Sequence, residues 1–400
     1  MKFLRSLGLD YCDLPTILIN VSVLLRVVTI KINSNDTQPV SWALYLIITI
    51  CSSCYFFAYV VNLVWFVLVR CVETGDFITA MVALSLTFCS GTCLAKFLYM
   101  KMYTNTVMNL VDEYRLCDKL LVSDTRFAMN RMNNLRIIKK RAITVWLVLV
   151  TNAVIYLLTP LLSPGRHFAE DLYVLYGLEP SFETPNYQII FAIEAASIFF
   201  SISTTVHITV FIIVIVGCIE AQLLALSEEL ENMWEDSAKF YERYGNGNER
   251  FSRNVFLKMR LQDIAKLHIV TINLRQNVDK ELRFLFVVDC IFMILAIVTE
   301  LVGGLENTIV QFPFTIAIVF IDCFIGQKLI DASDVFESSI YGCRWENFDV
   351  HNQKTVLFML KNSQKTLYLS AGGIAVLNMS CLMCIFRTTY SAYTTLQTSG

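Results

Sequence analysis

Apolar residues run through this chain in stretches too long for the core of a soluble domain and too continuous for β-strands. Runs of roughly 20 apolar residues, enough to cross a ~30 Å hydrocarbon layer as helix, occur near 42–69, 77–99, 142–163, 188–218, 285–302, 309–330 and 371–396. Continuity rather than alternation predicts helices, not a barrel. After the fourth run the pattern becomes amphipathic. Leu223, Leu226, Leu230, Met233 and Trp234 recur at helical spacing with Glu228, Glu229 and Glu231 between them, which extends that helix over Ala221 to Phe240. The cluster Gly245-Asn246-Gly247-Asn248 predicts a turn, and Val255 to Phe284 resumes the helical pattern into the fifth run. With Val356 to Tyr368 these segments predict a helical layer outside the membrane, built from 219–284 and 331–370. Its apolar faces suit either packing within one chain or oligomerisation.

Composition and charge placement turn this pattern into a topology. The 400 residues are 56% hydrophobic and 16% charged, the balance of a polytopic membrane protein of the all-α class. Of the 32 Lys and Arg, only Arg70 and Arg166 fall between spans on one side. Lys2, Arg5, Arg26 and Lys31 precede the first span, and eight basic residues lie in Arg115–Arg141, ten in Lys239–Arg283 and five in Lys328–Lys365. Lys96 and Lys101 fall at the inner end of the second span and Arg387 within the last. Because short cytoplasmic loops retain positive charge during insertion, seven spans with a cytoplasmic N-terminus and an exterior C-terminus are expected. The net charge of −2 gives no support for nucleic-acid binding.

Residues 1–40 read as a cytoplasmic segment without a cleaved signal, since Asp10, Asp13 and Pro15 interrupt any apolar core. Ile17 to Ile30 carries Arg26 and ends in polar residues, which suggests a surface-lying or membrane-dipping helix rather than an eighth span. The sequon Asn35-Asp36-Thr37 is then cytoplasmic and unmodified. Of thirteen Cys, Cys71 alone falls in an exterior loop, so no exterior disulfide is available. The whole chain reads as one unit without internal repeats.

No metal, phosphate-loop, nucleophile-elbow or dinucleotide pattern is present, and the four His at 167, 207, 268 and 351 lack ligand spacing. No enzyme, metal or cofactor is expected. Ionisable residues inside spans are costly and therefore functional candidates: Glu194, His207, Asp289, Glu300, Asp322 and Arg387. Glu300 and Asp322 fall near span ends, where water or head groups would solvate them. The last span contains a single charge, and Thr389, Tyr393 and Leu396 share one face with Gln397 beside it. Such a face suits either a water-facing stripe with an apolar constriction or a packing surface. The exterior halves of spans two to six carry Phe77, Met81, Leu84, Phe88, Thr151, Asn152, Ile155, Tyr156, Phe191, Ile198, Met293, Ile297, Phe314 and Ile318. A subset of these, with Glu194, is expected to line an apolar pocket with a few hydroxyl or amide groups for a small, largely neutral molecule.

The stretch from Tyr341 to Gln397 resembles the insect odorant receptor family. The likeness rests on Tyr341 with Trp345 four later, the helix bearing Gln353, Ser363-Gln364-Lys365 followed by Leu367, Ala371-Gly372-Gly373, and Arg387-Thr388-Thr389-Tyr390-Ser391. Weaker likeness extends to Gly75-Asp76 before the second span. The resemblance implies a ligand-gated, non-selective cation channel: a tetramer whose final helices line a central pore, whose cytoplasmic helices form an anchor, and whose subunits each bind odorant in the exterior half. It also implies partnership with a shared coreceptor, in the plasma membrane of olfactory sensory neurons. Carried over residue by residue, the pore and gate fall on Thr389, Tyr393, Leu396 and Gln397. Two departures stand out. Ala392 replaces an aromatic common in the family, and only ~65 residues separate spans four and five, too few for the coreceptor's insertion, so the chain resembles a tuning subunit. A seven-helix G-protein-coupled receptor fits less well, lacking an exterior Cys in Pro164 to Tyr187 and an Asn-Pro-x-x-Tyr motif in span seven. Inverted repeats of a transporter are not apparent. A gustatory receptor of the same superfamily is the nearest alternative, disfavoured by Ser391 after Tyr390 and by the six residues between Tyr390 and Gln397.

Overall fold

A computed structural model describes residues 8–34, 40–119, 125–169, 171, 173–244 and 249–399. Lys2, Arg5, the Asn35 sequon and the Gly245–Asn248 turn lie outside the described residues. The chain is almost entirely helical: α1 (Leu14–Val27), α2 (Trp42–Thr74), α3 (Phe77–Met102), α4 (Thr104–Lys119), α5 (Arg126–Leu162), α6 (Asn186–Tyr244), α7 (Glu249–Gly303), α8 (Phe312–Gly342), α9 (Val350–Ser363) and α10 (Met379–Ser399). Six of these, α2, α3, α5, α6, α7 and α8, are long and apolar enough to cross a membrane. The final helix α10 has 21 residues, about 32 Å at 1.5 Å per residue, and is not among those six.

Hydrophobic patterning explains which helix takes the centre. In the 188–218 run of α6 apolar residues occupy every side of the helix, with Glu194, His207 and a few Ser and Thr among them, and a helix apolar on all sides is stable only when surrounded. Its most apolar stretch is accordingly buried along nearly its whole length, packed by α5, α8, α7, α2, α3 and α1. The outer helices keep lipid-facing stripes, such as Leu147, Val148, Val154 and Leu158 on α5. At its start, α3 is held by Asp76, whose carboxylate accepts from the Thr79 amide at 3.1 Å and from its hydroxyl at 2.6 Å. Gly75 just before it takes φ +67°, a left-handed turn that separates α2 from α3.

Several expected boundaries move. The spans expected at 142–163 and 309–330 are segments of longer continuous helices, as 188–218 and 285–302 are with the amphipathic stretches read beside them, because the amphipathic pattern outside the membrane continues the apolar one in phase. The segment Ile17 to Ile30 is no surface helix: Leu14, Ile17, Leu18, Val21 and Leu25 are buried against α4, α5 and α6. Asp13 caps it, accepting from the Thr16 amide at 3.0 Å. The last span starts at Met379 rather than 371. Residues 370–376 instead form a small antiparallel hairpin, Ser370–Ala371 paired with Ala375–Val376, turned through Gly372 and Gly373 at φ +64° and +74°.

Below the membrane-crossing part, the far ends of α6, α7 and α8 join α9 in the predicted helical layer. Glu229 on α6 accepts from Arg126 on α5 at 2.9 Å and from Arg260 on α7, and Arg141 forms a two-pronged pair with Glu220 at 2.7 and 3.0 Å. Trp234 stacks on Phe348, with the Arg253 guanidinium 3.8 Å from the Trp234 ring centre. Val350, Leu357 and Phe358 on α9 remain exposed in the single chain.

His268 on α7 is enclosed against Phe336, 4.4 Å between ring centres, and burial pushes its imidazole down to about 4 from an ordinary 6.5. The unfolded chain therefore takes up a proton at higher pH than the folded one, so stability is full above 6.5 and falls as pH drops towards 4. Melting of detergent-solubilised protein is expected to weaken across that window by up to ~3 kcal/mol for this group. His268→Leu should flatten the profile between pH 6.5 and 4.5.

Candidate functional site

The chemistry-bearing residues fall into three places: a cavity in the half of the bundle away from the anchor layer, a charged cluster beneath it, and the exposed side of α10. Four helices and the start of α8 surround the cavity. Tyr59 of α2, Leu86, Cys89 and Ser90 of α3, Asn152 and Tyr156 of α5, and Ile198, Ser201 and Ile202 of α6 form its walls, with Val310, Gln311 and Phe314 at the head of α8. No charged side chain lines it. Tyr59 lies in a stretch of α2 that winds as a π-helix over Phe57–Asn62, a local underwinding that re-aims side chains and recurs at functional sites. The segment between α5 and α6 folds over this region. Asn62 donates to the Val174 carbonyl at 3.0 Å and accepts from the Tyr176 amide at 2.7 Å, and the Tyr173 hydroxyl donates to the Ala58 carbonyl.

Of the residues expected at a pocket, Asn152, Tyr156, Ile198 and Phe314 line this cavity. Phe77, Thr151 and Ile155 face outward. On α5 the outward pair 151/155 and the inward pair 152/156 are equally spaced, so periodicity alone does not choose between them. Met81, Leu84, Phe88 and Phe191 are half-buried, with Phe88 against Phe292 and Phe191 against Tyr187. Met293, Ile297 and Ile318 are fully enclosed in the core beside the cavity, and Glu194 is buried near Tyr173 without reaching the cavity wall. Spans one and six contribute more than expected, and the fifth contributes none of the lining. Sequence reasoning missed Gln311, Ser90, Cys89, Ser201 and Tyr59, small or polar residues inside apolar runs whose only signal is that they interrupt those runs.

The charged cluster corrects a second expectation. Lys96 is not at a solvated membrane edge; it has no exposed surface, and its ammonium lies 2.8 Å from Asp289 Oδ2 on α7. The approach is a contact of opposite charges rather than an aligned hydrogen bond. Thr209 on α6 accepts from the same ammonium at 3.5 Å, and Asp322 on α8 adds a second negative charge within its field. Asp322 and Glu300, expected near solvent, are both buried. Glu300 accepts from the Thr315 hydroxyl at 2.7 Å, tying α7 to the first turn of α8.

The final helix leans on α7 and α8. Gly326 makes this possible, because a side chain there would collide with the Leu377 carbonyl. Leu382, Ile385 and Thr389 form the inward face of α10, and Thr389 is only 2% exposed. Its hydroxyl donates to the Ile385 and Phe386 carbonyls, both at 3.0 Å. Thr389 thus faces its own bundle, a correction to its expected place on a water-facing stripe. Tyr393 is half-buried, and Leu396 and Gln397 are exposed, as are Met383, Arg387 and Tyr390 on the outer stripe.

The odorant receptor profile, described as 7tm Odorant receptor, matches residues 76–390. The chain belongs to the insect odorant receptor family. The receptor is similar to odorant receptor 30a of Drosophila melanogaster, 25% identical over 108 residues, or 27% of this chain and 29% of that protein. It is also similar to odorant receptor 85c of the same species, 26% identical over 80 residues, or 20% and 21% of the two chains. The matched stretches therefore span less than a third of these relatives. The solved olfactory receptor OR5 from Machilis hrabei shares the fold over 98% of this chain and all of its own, with a TM-score of 0.75 at 13% identity. A second structure of OR5, in complex with eugenol, has a TM-score of 0.72.

The buried pair gives a prediction independent of ligand. Lys96→Met alone should destabilise the receptor by about 3–5 kcal/mol, because it strands a buried carboxylate. Combining Lys96→Met with Asp289→Asn should recover most of the loss. Surface expression and detergent melting of the single and double variants read the coupling.

Proposed function

We propose that the receptor is the tuning subunit of an odorant-gated, non-selective cation channel. It binds a small neutral organic molecule in the cavity between α2, α3, α5, α6 and the head of α8. The observation that carries this reading is the cavity itself: a partly open, mainly apolar site with a few amide and hydroxyl groups and no charge on its walls. Its volume is about 70 Å³, against the ~150 Å³ of an apolar cavity that takes up benzene. A ligand of about ten to fifteen heavy atoms, with ~0.3 to 1.5 kcal/mol of binding per atom, therefore fits only when lining side chains swing aside. That displacement is the means of gating: the ligand favours the expanded arrangement, and only its differential affinity for the two states drives opening.

The assembly is a tetramer with a shared coreceptor, oriented with the N-terminus in the cytosol and the C-terminus outside, in the plasma membrane of olfactory sensory neurons. The basic residues that cluster at the anchor end support this orientation. The exposed apolar residues of α9 and the exposed outer side of α10 support contact with neighbouring subunits, with Tyr393, Leu396 and Gln397 at the mouth of a central pore and Thr389 behind it. OR5 was solved with eugenol, a neutral small aromatic, which accords with a neutral ligand here.

Currents recorded from cells expressing the receptor with and without a coreceptor, against a panel of volatiles, test the reading. Odorant-evoked current that needs the coreceptor is expected, and a response that depends wholly on G-protein signalling would contradict it. Filling the cavity with Ile198→Trp should abolish odorant responses while surface expression persists. Glu194→Gln, off the cavity wall, should leave responses to neutral odorants within about threefold of the parent, a change of under ~1 kcal/mol.

A further inference from the structure

We infer that the cavity selects ligands bearing a hydroxyl group, alcohols or phenols, and that Gln311 is the residue that reads it by accepting the hydroxyl hydrogen at Oε1. This rests on the reading of the cavity as the odorant site and narrows the ligand class. Gln311 stands immediately before the first turn of α8, and its side chain makes no cap hydrogen bond to that helix. Its side chain points into the bundle instead, leaving the residue 6% exposed and on the cavity wall.

The orientation of its amide follows from its neighbour. The Ser85 hydroxyl donates its only hydrogen to the Val82 carbonyl at 2.7 Å, so Ser85 Oγ has lone pairs alone to offer. The Gln311 group facing Ser85, at 3.5 Å, must therefore be the amide nitrogen. That leaves Oε1 as the other arm, buried and without a donor. A buried acceptor of this kind is a cost to the empty receptor, and a donor that reaches it recovers that cost.

Two other polar groups on the wall bring acceptors as well: the Ser90 hydroxyl donates to the Thr87 carbonyl at 3.1 Å and offers lone pairs, and Asn152, one of whose two N–H hydrogens goes to the Val310 carbonyl at 3.5 Å, adds a carbonyl oxygen beside its second N–H. Tyr59 and Tyr156 also reach the wall, and a phenolic hydroxyl, being both donor and acceptor, does not favour one kind of ligand. An ether, ester, ketone or aldehyde brings only acceptors and leaves Gln311 Oε1 unpaired. An alcohol or phenol brings the missing hydrogen.

The test uses matched pairs on cells expressing the receptor with a coreceptor: phenol and anisole, 4-methylphenol and 4-methylanisole, benzyl alcohol and benzyl methyl ether, 1-octanol and 2-octanone. Half-maximal concentrations for the hydroxyl members are expected to be lower by about tenfold or more. Gln311→Met, similar in volume and lacking an acceptor, should reduce that preference to less than about threefold while ether responses persist. Ser85→Ala frees the amide to rotate its nitrogen toward the cavity and should raise the relative response to 2-octanone, which covers the case in which Gln311→Met does not reach the surface. Equal potency within the pairs, or a preference unchanged in both variants, overturns the hydroxyl assignment. So does a channel opened by ethers or ketones but by none of the alcohols or phenols, an outcome that leaves the odorant-receptor reading intact. A receptor that reaches the surface yet passes no current to any member overturns that reading itself.

Discussion

A lysine ammonium with no exposed surface, 2.8 Å from an aspartate inside a lipid-embedded bundle, is the interaction on which the arrangement of helices depends. Hydrocarbon offers no solvent to either charge, so Lys96 and Asp289 are tolerable only if α3 and α7 hold one register in which the two meet. A slide of one helical turn would leave both uncompensated. Thr209 supplies an acceptor from α6 and Asp322 a second charge from α8, so four helices are fixed around one point. Burial of such a pair adds little net stability; its effect is to exclude other packings.

From that point the geometry of the cavity follows along α3. Ser90 and Cys89 lie six and seven residues before Lys96 on the same helix, about 9–10 Å away at 1.5 Å per residue, and they form the cavity wall opposite α5 and α8. Glu300 and Thr315 join α7 to the first turn of α8, which sets where Gln311 and Phe314 enter. In the other direction α8 carries Asp322 past Gly326, whose bare backbone lets Leu377 and the start of α10 press against it. One rigid helix thus touches the cavity at its head, the charged cluster at its middle and the final helix further along. A change in side-chain packing around the cavity has a continuous route of packed contacts to the final helix α10, the physical requirement for coupling two sites.

Single-chain burial separates two kinds of apolar surface. The core around α6 is closed within one copy, whereas Val350, Leu357 and Phe358 on α9 and the outer stripe of α10 remain uncovered. In α10 the inward residues Leu382, Ile385 and Thr389 alternate with outward Met383, Arg387 and Tyr390. This is the pattern of a helix with two different neighbours, its own bundle on one side and something outside the chain on the other.

The sequence by itself determined what the bilayer dictates. Run length and continuity specified the membrane helices, and the C-terminal pattern from Tyr341 to Gln397 pointed to the family. These are properties of single segments meeting a uniform solvent, so local pattern suffices. What only the tertiary structure decided concerns pairs of segments. Whether Lys96 meets water or Asp289, whether 151/155 or 152/156 faces inward on α5, and whether Thr389 looks toward a pore or its own bundle depend on how helices are rotated against one another. Hydropathy is nearly blind to that rotation, because lipid and a neighbouring helix are equally apolar. Gln311 illustrates the limit. Its residue type signals a polar interruption, but the orientation of its amide follows only from Ser85, 226 residues away in sequence, having already committed its hydrogen to the Val82 carbonyl.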